Sequence, residues 1–126
     1  MMKGSTILFI GIGSFIGGIC RYLLSLLVQS RFALHFPLGT LIVNVIGCLL
    51  IGVVFGLAEK GMVTDEWRLF LATGILGGFT TFSAFSNETI GLLRTGQPGY
   101  ALVYVTASVA IGLLATYIGL SANKLF

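Results

Sequence analysis

The chain has 126 residues, of which 56% are hydrophobic and only 9% are charged, and its mean hydropathy is +1.05. A soluble domain carries about 25% charged residues, so this composition excludes a water-soluble globular protein and indicates an integral membrane protein in a lipid bilayer. The net charge of +3 comes from single basic residues between apolar runs. Without a basic cluster interleaved with aromatic residues, nucleic acid is excluded as a partner.

Four apolar segments are each long enough to cross a bilayer with some tilt. They cover about residues 5–29, 38–57, 69–93 and 100–122, which predicts a single four-helix transmembrane domain over residues 1–126. A short break at 30–37 separates the first two, and Pro37 at its end favours a helix start. Four spans place both termini on the same side of the membrane.

The basic residues are divided almost evenly between the two sides of the membrane. Lys3, Lys60, Arg68 and Lys124 lie on the side of the termini, whereas Arg31 and Arg94, with Arg21 nearby, lie on the other. The positive-inside rule needs a clear excess to fix an orientation. The nearly even division of basic residues therefore favours insertion in both orientations and an antiparallel homodimer. A single orientation stays open if Arg31 lies too far out to matter.

Each of the four spans also carries a pair of small residues four positions apart. Such pairs let helix backbones approach closely and predict a tightly packed bundle. The pairs are Gly13 with Gly17, Gly52 with Gly56, Gly74 with Gly78, and Ser108 with Gly112.

The third span differs from an ordinary lipid-facing helix over residues 74–88, where polar side chains alternate with glycine and phenylalanine. Polar groups and irregular backbone are tolerated in a membrane only inside protein or along a cavity, so this stretch is either a packing seam or a pathway. The pair Gly77-Gly78, followed by Thr80-Thr81, predicts a helix break there. Phe82 and Phe85 share one face of the helix that follows, which by spacing alone indicates core packing.

A few polar residues inside the other spans have two interpretations each. Asn44 either forms an interhelical hydrogen bond or donates from its amide into a pathway. Arg21 either attracts anions or extends its side chain to the membrane interface. Tyr104 and Ser108 are four residues apart and lie on one face of the fourth helix.

Three motifs together resemble the small bacterial fluoride channels of the Fluc, or CrcB-type, family. The longest is GGFTTFSAFSNE at residues 77–88, which departs from the commonest family form at Ala84 and Asn87. GGICRY at 17–22 and GTLIVN at 39–44 are similar to the first-helix and second-helix motifs of that family. The resemblance extends over the whole chain, including its length and its four spans.

The resemblance implies an all-α membrane protein, with four transmembrane helices per chain and the third helix broken mid-membrane, that forms an antiparallel dual-topology homodimer. It also implies two fluoride pores and one central structural sodium ion per dimer, in a bacterial cytoplasmic (inner) membrane, where the channel exports fluoride passively. By position, the resemblance implies fluoride-pore roles for Asn44, Phe82, Phe85, Tyr104 and Ser108, with Thr40, Thr81 and Ser83 extending the polar track; a vestibule role for Arg21; and sodium binding by the backbone carbonyls of Gly77 and Thr80.

Three other classes of protein were weighed against a channel. A small proton-coupled multidrug exporter needs a carboxylate in the membrane, normally in the first helix, but the only candidate is Glu88 toward one end of the third span. A purely structural membrane subunit would require the polar third span to serve packing alone. An enzyme is disfavoured, since the sequence has no nucleophile–base pair and no cluster of metal ligands.

Overall fold

The computed structural model describes residues 3–32 and 35–125, and all regular structure in these residues is helical. The first helix, α1, is Gly4–Arg31, and the second, α2, is Leu38–Glu59. Residues 33 and 34 of the predicted break at 30–37 lie outside the described residues. Pro37 directly precedes α2, as its lack of an amide hydrogen favours.

The third span consists of two consecutive helices. The first, α3, covers residues 65–79 and contains an eight-residue π-helix, Leu69–Leu76, between the α-helical turns Asp65–Arg68 and Gly77–Phe79. The second, α4, is Phe82–Arg94. The fourth span begins with α5, Pro98–Ser121, and ends in a 3₁₀ turn, Ala122–Leu125. Four helical stretches of the described residues are therefore long and apolar enough to cross a membrane.

The helix ends follow from local residue chemistry. Thr64 caps α3 by accepting a hydrogen bond from the amide of Trp67 at 3.2 Å. Pro98 occupies the first turn of α5, where a missing amide hydrogen costs nothing. Gly61 and Gly96 follow α2 and α4 with φ of 72° and 76°, a conformation that residues with a Cβ rarely adopt.

The bundle is built from two closely packed helix pairs. In the first pair, a Cβ added to Gly17 of α1 would collide with the carbonyl oxygen of Ile75 in α3, and a Cβ added to Gly78 would lie 2.5 Å from the carbonyl oxygen of Ser14. In the second pair, a Cβ added to Gly52 of α2 would lie 3.0 Å from the Cα of Gly119 in α5. The small residues thus bring backbone against backbone in both pairs, as the spacing predicted for the first three spans. In the fourth span Gly119 makes this contact, and the predicted pair of Ser108 and Gly112 does not.

Candidate functional site

The third span is interrupted at Thr80 and Thr81, both of which have extended backbones with ψ of 157° and 120°. The sequence predicted a break around Gly77-Gly78 and Thr80-Thr81, and in the structure the two glycines stay helical. Gly78 serves close packing, because it lies against the backbone of α1, whereas Gly77 is exposed. The interruption therefore falls on the two threonines.

Asn44 of α2 holds the interruption in place with both ends of its side-chain amide. Its Oδ1 accepts a hydrogen bond from the Thr81 amide at 2.8 Å, and its Nδ2 donates to the Thr81 carbonyl at 3.0 Å. Thr81 in turn caps α4, since its Oγ1 accepts a hydrogen bond from the Ala84 amide at 3.0 Å. A backbone that has left the helix is thereby supplied with partners, which an apolar environment requires.

Because of the same contacts, the Thr81 and Ala84 amides no longer donate hydrogen bonds to the helix carbonyls four residues earlier. In a continuous helix the Thr81 amide would donate to Gly77 and the Ala84 amide to Thr80. Here the first donates to Asn44 and the second to the Thr81 side chain. The Gly77 and Thr80 carbonyls thus lose their i+4 donors, and Gly77 lies on the exposed side of the chain.

A groove of about 320 Å³ lies between α2, the interruption, α4 and α5. Ser108 contributes a buried Oγ that has no hydrogen-bond partner in residues 3–32 and 35–125. Phe82 lies at the opposite extreme, with 78% of its surface exposed. The residues that line the groove are Asn44, Gly47, Cys48, Ile51, Thr80, Thr81, Phe82, Phe85, Ser108 and Val109.

Aromatic rings extend from the groove toward α5. The ring centroids of Phe82 and Phe85 are 5.5 Å apart, and those of Phe85 and Tyr104 are 5.1 Å apart, both in tilted arrangements. Phe36 packs edge-on against Tyr104 at 5.5 Å. Tyr104 is fully buried and connects the groove to a second polar cluster.

That second cluster centres on Glu88 of α4, for which the sequence indicated no role other than that of a possible exporter carboxylate. Its Oε2 accepts a hydrogen bond from Thr40 Oγ1 at 2.9 Å, and its Oε1 accepts one from Tyr104 at 3.0 Å. Thr40 and Tyr104, predicted as part of a polar track, therefore meet on this carboxylate. A lone carboxylate inside an apolar span was the sequence signal that could have identified it.

The remaining predicted residues occupy other places. Ser83 is exposed, and its Oγ is 3.2 Å from Thr81 Oγ1. Arg21 lies at the crossing of α1 and α3, where its Nε donates to the Gly78 carbonyl at 3.3 Å. Neither residue, nor Gly77, is among those that line the groove.

The fold and the groove define a multi-pass membrane protein with a polar and aromatic site at an interrupted helix. The family model described as "CrcB-like protein, Camphor Resistance (CrcB)" matches residues 8–120, and the chain belongs to this family.

Several curated relatives are similar over nearly the whole chain. A protein of Flavobacterium psychrophilum is 46% identical over 120 residues, which cover 94% of this chain and 97% of the relative. A protein of Methylobacillus flagellatus is 44% identical, with 94% of each chain covered, and one of Thermus thermophilus is 45% identical, with 89% and 90% covered. All three are named fluoride-specific ion channel FluC, which is a non-enzymatic function.

Proposed function

We propose that this protein is a fluoride-selective channel that lets fluoride leave the cell passively across the bacterial cytoplasmic membrane. The observation that carries the proposal is the groove at the interruption, which hydrogen-bond donors and aromatic rings line together and where none of the described lining residues carries a charge. The names of the relatives, at 44% to 46% identity, support fluoride as the ion.

The chemistry of the groove suits a small, strongly hydrated anion. Ser108 Oγ is buried without a partner in the described residues, so an anion in the groove would accept its hydrogen bond. Asn44 uses one of its two N–H bonds on Thr81, which leaves the second for the groove. The rings of Phe82 and Phe85 carry partial positive charge at their edges and would replace part of the hydration shell.

The path proposed for fluoride runs from this groove past Tyr104 to Thr40, with Thr81 and Ser83 at the interrupted end. Tyr104 and Thr40 donate their hydroxyl hydrogens to Glu88. An anion that reached them would compete with the carboxylate for the same donors. Arg21 stays a proposed attractor of anions, although its guanidinium also donates to Gly78.

The proposed assembly is an antiparallel homodimer with two pores. The nearly even division of basic residues supports insertion in both orientations. In a single chain, 78% of the Phe82 surface is exposed although this residue lines the groove. This exposure supports a groove whose open side is covered by a second copy of the chain.

A sodium ion at the centre of that dimer fits the carbonyl oxygens that the interruption leaves without amide partners from the helix. The Gly77 and Thr80 carbonyls are hard oxygen ligands without their i+4 amides, and the interruption lies within the third span. When bound, the ion would supply a fixed positive charge and would satisfy backbone oxygens that lipid cannot hydrate. The chain's own part is to hold these carbonyls in place through Asn44 and Thr81.

The antiparallel assembly predicts that a protease added outside sealed liposomes removes an N-terminal tag from half of the chains within every dimer. Complete tag removal, or none, would contradict the antiparallel arrangement.

The proposed sodium ion predicts that replacing sodium by a large organic cation shortens the lifetime of the dimer. An unchanged dimer lifetime without sodium would contradict the role of the ion.

The function itself is tested by reconstituting the purified chain in liposomes loaded with fluoride and following release with a fluoride electrode. We expect release down the fluoride gradient at equal pH on both sides, where no proton gradient exists to drive it. This distinguishes a passive channel from a carboxylate-based exporter that uses Glu88, for which release would depend on the proton gradient.

A further inference from the structure

A second cavity, of about 540 Å³, lies at the end of the bundle where α1 turns into α2 and α4 turns into α5. We call this cavity the vestibule; Arg21, for which the family resemblance implied a vestibule role, does not line it. Its polar wall combines side chains from two helices and both turns. They are Ser25, Gln29, His35, Glu88, Thr95 and Gln97.

The vestibule meets the groove at the Glu88 cluster. Glu88 lines the vestibule and accepts a hydrogen bond from Tyr104 at 3.0 Å. The Tyr104 ring lies 5.1 Å from that of Phe85, and Phe85 lines the groove. The two cavities are therefore separated by one layer of side chains, and an ion that leaves the groove past Tyr104 reaches the vestibule.

Among the described residues that line the vestibule, His35 is the one that can become a cation and Glu88 is the one carboxylate. The walls contributed by α1 and by Gln97 carry neutral side chains. Arg31 and Arg94 are exposed in the last turns of α1 and α4 and do not line the cavity. Helix α2 begins beside Pro37 in the same wall, so the positive end of its dipole also faces the vestibule.

An imidazole changes its charge between about pH 5 and pH 8, and a cation at the mouth of a cavity raises the local concentration of anions. We propose that His35 forms an anion-capture site in the vestibule that strengthens on acidification and speeds the passage of fluoride. This proposal rests on the proposed channel function and adds to it a pH-dependent capture step for a small monovalent anion. Glu88 faces the same space and opposes the capture while it is ionised.

The test is the initial rate of fluoride release from liposomes with equal pH on both sides, measured at about pH 8 and about pH 5.5. Release from protein-free liposomes is subtracted to remove leakage of the neutral acid. We expect the wild-type rate to rise about two- to fivefold on acidification, the effect of one unit charge in a water-filled mouth. The rise should shrink at high concentrations of an impermeant salt, because salt screens a charge exposed to water.

Two variants test whether His35 causes the increase in release rate on acidification. His35→Gln keeps a polar side chain without a charge and should release fluoride at the slower rate at both pH values. His35→Lys carries a charge throughout this range and should give the faster rate at both. In Glu88→Gln, a rise with acidification should persist, because His35 is unchanged.

The outcomes separate this inference from the function on which it rests. Equal wild-type rates at both pH values, or a full pH response in His35→Gln, would contradict the capture site and leave the channel function intact. A pH response that is lost in Glu88→Gln and kept in His35→Gln would assign it to the carboxylate and overturn the role of His35. Absence of fluoride release at every pH would contradict both proposals.

Discussion

Replacing Asn44 by aspartate is expected to reduce fluoride release about a thousandfold while the dimer still forms. A negative charge about 4 Å from a fluoride ion, at an effective dielectric constant of about 20, repels it by about 4 kcal/mol, which corresponds to this factor. The variant also loses the hydrogen bond from Nδ2 to the Thr81 carbonyl and places a carboxylate oxygen against that carbonyl. Release is measured with a fluoride electrode, and the dimer by size-exclusion chromatography.

Asn87→Asp provides the matched control. Asn87 is exposed on α4 and does not line the groove, yet its substitution changes the net charge of the chain by the same amount. We expect it to release fluoride at close to the wild-type rate. If Asn44→Asp were as fast as Asn87→Asp, Asn44 would be a packing residue and the groove would not be the path.

Phe82→Ile is expected to slow fluoride release about tenfold or more. Isoleucine keeps an apolar side chain but removes the ring edge, and an aromatic contact worth about 1.5 kcal/mol corresponds to a factor of about ten. Stability should change little, because 78% of the Phe82 surface is exposed in the chain and its ring has one aromatic neighbour, Phe85, in the described residues. Initial rates of release at matched protein density are the measurement.

Phe15→Ile makes the same chemical change elsewhere. Phe15 is 70% exposed on α1 and does not line the groove. Its substitution should leave the rate unchanged. Equal rates of fluoride release in Phe82→Ile and Phe15→Ile would show that the Phe82 ring serves packing alone. This result would favour a structural membrane subunit.

The four membrane-spanning segments could be predicted from the sequence, because their apolar length and their small-residue pairs can be read directly along the chain. The pairs predicted close packing, and Gly17 and Gly52 indeed lie against the backbone of neighbouring helices. The position of the interruption could be predicted only approximately. Glycines permit a break, but its position is set by the local cap that Thr81 supplies and by the amide of Asn44, and the Asn44 contact is a tertiary one.

The polar cluster around Glu88 could not be predicted from spacing. Thr40, Glu88 and Tyr104 come from three helices, and nothing along the chain indicates that two hydroxyls meet on one carboxylate. The proposed roles of Asn44 and Phe82 in a fluoride pore rest on the resemblance to a family. The structure adds a physical setting for them, with a buried hydroxyl at Ser108 and two phenylalanine rings that line one groove.

Fluoride selectivity is tested most simply by comparing the release of fluoride with the release of chloride from the same reconstituted liposomes. The liposomes are loaded with both ions and have no proton gradient. Ion-selective electrodes follow the initial release of each ion, and detergent then gives the total content. We expect rapid release of fluoride, with chloride release no faster than from protein-free liposomes. Equal release of the two ions, or fluoride release no faster than without protein, would contradict the proposed fluoride channel.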